Sequence, residues 1–156
     1  MQATLSFKDR LFASAVIALG LFTLSSAGRA FAASQVVAWG SPTNVPAGLS
    51  TAISISAGWG YSLAITADGN LVDWGAEPGT PPSNLSNLVA VAASHEHSLA
   101  LQRDSTVVAW GSTERPWSWT LPAGLSNVIA ISANGDPDGE QSLALQRDGT
   151  VVAWGN

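Results

Sequence analysis

From residue 35 onward the apolar positions fall in short runs separated by turn residues, without the three- and four-residue spacing of a helix face. "NLVAVAA" at 87–93 and "NVIAISA" at 127–133 alternate or run apolar for the length of a strand. "SLAL" at 98–101 and 142–145 reads as a short buried strand, and "VVAWG" at 36–40, 107–111 and 151–155 as a third. All are too short for helices. Between the second and third strands stand Asp68-Gly69, Asp104-Ser105 and Asp148-Gly149, and Asp-Gly signals a tight hairpin because its turn needs positive φ. Ser105 in the glycine's place predicts a slightly strained middle hairpin. The stretch from each Trp-Gly to the next proline is rich in Pro, Ser and Gly, a composition suited to an outer edge strand and a connection.

The pattern is copied. Trp39-Gly40, Trp74-Gly75, Trp110-Gly111 and Trp154-Gly155 follow one another at spacings of 35, 36 and 44. Residues 46–75 align without a gap on 82–111, and a third copy starts at Pro122 and carries an enlarged loop, "NGDPDGEQ", before its "SLAL". The repeats run over about 41–75, 76–111 and 112–155, preceded by a single strand at 35–40. A period of this length marks units that bury their faces only by stacking on the next copy. Sheets apolar on both faces suit the blades of a propeller, so the expected fold class is all-β: about three propeller blades in an open or incomplete ring. Trp39, Trp74, Trp110 and Trp154 then fill the spaces between adjacent blades, and the glycine after each ends the strand where backbones crowd. Asp73 stands where the other copies have Ala38, Ala109 and Ala153. Buried, it needs a hydrogen-bond partner; open, it marks a gap in the packing.

Residues 1–32 are unlike the rest. Lys8 and Arg10 precede the apolar stretch "LFASAVIALGLFTL" at 11–24, followed by small residues and Ala30-Phe31-Ala32, the three regions of a secretory signal peptide with cleavage expected after Ala32. That stretch is shorter than the ~20 residues a membrane-spanning helix needs. Residues 33–156 then form the repeat array, and an exported protein with no retained membrane segment is expected. Without the leader only Arg103, Arg115 and Arg147 face ten Asp and Glu, three minus ten, or −7. This lacks the basic footprint of a nucleic-acid or anionic-membrane binder. The chain has no cysteine, so packing alone holds the domain together.

"VVAWG", "PAGLSNVIAISA" and "SLALQRDGTVVAWG" resemble the repeat of the regulator-of-chromosome-condensation type, whose members form β-propellers of about seven blades. The resemblance covers nearly all of 35–156 and is strongest to exported bacterial members, among them a secreted inhibitor of β-lactamases. It implies a protein-recognition fold. Three periods and a starting strand are fewer than the family needs to close a ring, which leaves apolar blade faces and open edges. Three outcomes follow: a fragment of a longer array, toward which the end at Asn156 just after Trp-Gly points; self-assembly with other copies through the open edges; or a decaying gene product. The position before Ser-Leu, often His in the family, is Tyr61, His97 and Gln141 here, variation suited to a loop that faces a partner.

Candidate chemistry is sparse. His95 and His97 in "SHEHS" share a strand face, but two ligands are too few for a metal site, and Ser94, Glu96 and Ser98 are their sequence neighbours, whereas a hydrolase triad converges from separate elements. No catalytic residue, metal or cofactor is expected. Asn134, Asp136 and Asp138 have the spacing of a calcium loop, but Leu145 stands where its bidentate Glu belongs, and an acidic solvated loop explains 134–140 with less. Asn84-Leu85-Ser86 matches a glycosylation acceptor and also reads as a turn. Trp59 and Tyr61 in "GWGYS", and Trp117 and Trp119 in "RPWSW", are aromatics that the other copies do not share. They are read either as binding residues or as lids over their own blades. In the similar inhibitor the loop between the first two strands faces the partner enzyme, which implies partner contact at Trp59, Tyr61, His95, Glu96 and His97. The expected function is a noncatalytic, exported protein-recognition module that binds through its blade loops. The alternative is a purely structural spacer or fragment of a larger surface protein.

Overall fold

In the computed structural model, residues 15–19, 35–41, 43–76, 79–114, 119–136 and 138–155 are described. Their regular structure is entirely β: β1 (Ala15–Leu19), β2 (Gln35–Trp39), β3 (Ala52–Ala57), β4 (Tyr61–Thr66), β5 (Leu71–Gly75), β6 (Leu88–Ala93), β7 (His97–Gln102), β8 (Val107–Gly111), β9 (Val128–Asp136), β10 (Gly139–Gln146) and β11 (Val151–Gly155). Each repeat makes one three-stranded antiparallel sheet with its "SLAL" strand in the middle, β3-β4-β5, β6-β7-β8 and β9-β10-β11. The registers are equivalent: Ser62 pairs with Trp74, Ser98 with Trp110 and Ser142 with Trp154. β2 has the sequence of a third strand and pairs antiparallel with β1, which falls inside the expected leader. No strand forms in the connectors among the described residues, so the outer edge strand allowed by their composition is absent there.

The strand-to-strand turns follow from residue chemistry. Gly69 and Gly149 take φ of 76° and 90°, and Ser105 takes φ of 72° at the same place, the strain the sequence predicts. Asp104 and Asp148 accept the backbone N–H of Thr106 and Thr150 across the turn. These bonds hold both carboxyls below the usual aspartate range. The enlarged loop of the third repeat is not a loop: β9 and β10 lengthen to absorb it, reaching Asp136 and Gly139. At its tip Asp136 Oδ1 accepts the N–H of Asp138 and Gly139, which closes the turn.

The sheets stack face to face, and three apolar layers hold them. Val36 of β2 meets Leu49, Ala64 and Trp74 ahead of the first blade. Tyr61, Leu63 and Ile65 meet Leu88, Val91 and Trp110 between the first and second. Leu99, Leu101 and Val107 meet Val128, Ala144 and Trp154 between the second and third. Each fully buried Leu or Ile contributes roughly 1.5–3 kcal/mol. Trp74, Trp110 and Trp154 each pack onto the sheet before their own, as the repeat reading requires. Trp39 differs, at 46% exposed, because no sheet lies on its side of β2 among the described residues. Asp73 is exposed, so its carboxylate is solvated.

Candidate functional site

The β3–β4, β6–β7 and β9–β10 turns lie at the same end of their sheets, and β3, β6 and β9 are neighbours in the stack. The rim they form brings Trp59, His95 and Glu96 to the surface. Trp59 is 45% exposed. Its backbone N–H donates to the carbonyl of Ser94 at 3.0 Å, and its indole meets the His95 ring edge-on with centroids 5.1 Å apart. His95 and Glu96 are half-buried, with His95 Nδ1 3.7 Å from one carboxylate oxygen of Glu96 and one of Glu140. Thus the first and second blades together set the indole's position, and one face of it stays wet.

Beneath this rim lies a polar cluster that crosses from the second blade to the third. Glu140, 1% exposed, takes His97 Nδ1 at 2.7 Å and the Ser94 hydroxyl at 2.6 Å on one carboxylate oxygen. Its other oxygen accepts the Glu96 N–H at 2.9 Å. His97 Nε2 meets Ser142 Oγ at 2.6 Å. His97 therefore bridges the two side chains, its Nδ1 on the Glu140 carboxylate and its Nε2 on the Ser142 hydroxyl. Gly135, paired with Glu140, allows this inward fold, since a Cβ there would strike the carboxylate. Burial by itself raises the Glu140 carboxyl, but the bonds from His97 and Ser94, the charge of His97 and the Glu96 N–H outweigh it and hold the group below the usual glutamate range.

Ser142, His97 and Glu140 have the connectivity of a hydrolase triad. Ser142 and His97 are wholly buried, however, so no substrate carbonyl can reach the hydroxyl, and the arrangement acts as a tie between blades. Tyr61 shows the same device one blade earlier. Its hydroxyl lies 2.9 Å from both the His97 carbonyl and Ser98 Oγ. At equivalent positions, Tyr61 and His97 each reach the serine that opens "SLAL" in the next blade. Gln141 is third in the series and is exposed.

The residues singled out from the sequence therefore separate. Trp59, His95 and Glu96 meet at the rim. Tyr61 and His97, read as partner-facing, are fully buried: side chains at the first position of β4 and β7 point into the gap between blades. Trp119 is half-buried and folds back, its indole N–H donating to the Ser112 carbonyl at 3.1 Å. Trp117 lies outside the described residues. Glu140 and Ser142 were missed as partners of His97. "NGDPDGE" reads as an acidic loop, and only the pairing of Glu140 with Gly135 turns the side chain inward. Glu140 is committed to His97, and Asp136 Oδ1 to the N–H groups of its own turn. Asn84 lies in an exposed turn.

Three-stranded antiparallel blades stacked through tryptophans and joined by hairpins at one rim define a β-propeller repeat protein. Its fold is the RCC1-type propeller repeat. The CRINKLY WD40 ectodomain of the Arabidopsis thaliana receptor kinase ACR4 superposes with a TM-score of 0.59 at 22% identity over 78% of this chain and 42% of its own. Prp20p from Saccharomyces cerevisiae gives 0.59 at 18% identity over 78% and 41%. The ectodomain of the Physcomitrella patens receptor kinase CR4 gives 0.61 at 21% over 79% and 37%. The chain thus spans about two fifths of the length of these structures. No family model matches it, and no curated protein matches it significantly.

Proposed function

We propose that this chain is a noncatalytic, exported recognition module that captures a protein partner through the rim of Trp59, His95 and Glu96. The observation that carries this reading is Trp59: an indole unique to one repeat, edge-on against His95, on a backbone anchored to the Ser94 carbonyl, and still 45% exposed. A rigidly held tryptophan with acidic neighbours is the kind of group that dominates protein interfaces. Proteins of the same fold bind proteins: the Prp20p structure is described with its binding to Gsp1p and histones, and yeast RCC1 was solved bound to Kap60. The buried state of the Ser142–His97–Glu140 tie supports the noncatalytic part, and the apolar leader supports export.

The test compares capture by the wild-type protein and by Trp59→Ala and Glu96→Gln, using proteins released by the native host. A partner retained by wild type and lost from Trp59→Ala, with unchanged melting temperatures, supports the rim. Equal capture by all three, or none by any, contradicts it.

A further inference from the structure

The blades inside this chain meet by one rule. Each sheet turns toward its successor the apolar side chains of its second and third strands, and each successor answers with its tryptophan. In the second blade Leu99, Leu101 and Val107 are 0%, 4% and 6% exposed under the third blade. The equivalent face of the third blade is built from Leu143, Leu145 and Val151, with Ile129 at its margin. There Val151 is 61% and Ile129 46% exposed, since no sheet follows among the described residues. At the other end of the stack, β2 alternates as every third strand does: Val36 faces the first blade and is buried, while Val37 and Trp39 face away, 48% and 46% exposed. Val37 and Trp39 occupy the positions of Val72 and Trp74, which pack onto the sheet before them. One end therefore carries the tryptophan half of a blade interface and the other carries the aliphatic half.

We propose that these two faces join head to tail between copies of this chain, Trp39 and Val37 of one copy packing on Leu143, Leu145 and Val151 of another. The contact continues the interface that the chain already makes within itself, so its occupant is a surface of the same repeat type, and a second copy supplies one. It is independent of the rim of Trp59, which lies at the hairpin ends rather than on a blade face. Because the two halves differ, the association is heterologous: each copy keeps one free half, and the assembly grows until it closes.

Sedimentation velocity over a hundredfold range of concentration tests this on the purified full chain, with Val151→Glu and Trp39→Ser, both at exposed positions. The wild type is expected to exceed the mass of one chain and to grow with concentration, and each variant alone to sediment as a single chain. Mixed together, the variants still share one intact pair of faces, Trp39 of the first and Val151 of the second. The mixture is therefore expected to form a dimer that grows no further. A wild type that stays a single chain throughout overturns the proposal. So does assembly that survives both substitutions, or variants that fail to associate on mixing while their circular dichroism matches the wild type.

Discussion

Glu140 carries the largest consequence of any single side chain, because it is a carboxylate with almost no exposed surface that holds two blades by hydrogen bonds to His97, Ser94 and the Glu96 N–H. Its folded pKa lies below the unfolded value. Its contribution to stability is therefore fully present above the unfolded glutamate pKa and is lost as pH falls through the folded one. Glu140→Gln is expected to melt lower than wild type at pH 7 and to narrow the gap on acidification. A gap that stays constant from neutral pH to pH 3 contradicts the pairing. Asp104 and Asp148 titrate in both proteins and cancel in the comparison. The removal of a partner from a buried pair costs about 3 kcal/mol, which sets the size of the neutral-pH difference. None of this could be read from the chain alone, since the sequence places Glu140 43 residues from His97 and in an acidic stretch that reads as solvated.

At the scale of the hairpin, most of the structure was legible. Short apolar runs bounded by Asp-Gly specify strands and their turns through local chemistry, and the middle repeat keeps that geometry although Ser105 must hold a φ of 72°. Ser105→Gly is expected to raise the free energy of unfolding by a few tenths to about 1 kcal/mol, the relief of left-handed strain less the added freedom of glycine in the unfolded chain. Urea denaturation at constant m-value reads it, and a loss of stability contradicts the strain argument. The third hairpin was not legible in the same way. Its extra residues have loop composition, but Gly135 opposite Glu140 lets the ladder continue, and the tie to the second blade favours it. The variation of Tyr61 and His97 between repeats suits a partner-facing loop in the sequence alone. Variation here reflects two solutions to one task, a phenol and an imidazole each reaching the next blade's serine.

Over the whole molecule, stability comes from layers between sheets, and the period of the tryptophans displays that plan in the sequence because an indole at each interface is a repeated physical demand. Trp59 escapes the same demand by standing outside the period, and its indole is 45% exposed. The most direct measurement is equilibrium unfolding of Trp110→Ala beside Trp59→Ala, at protein concentrations where the chain is a single copy. Trp110 is 4% exposed between the first two blades, and its truncation is expected to cost about 3–5 kcal/mol. Trp59 at the rim is expected to cost about 1 kcal/mol or less. Equal losses, or a larger loss at Trp59, would contradict a molecule held together by indoles between its blades.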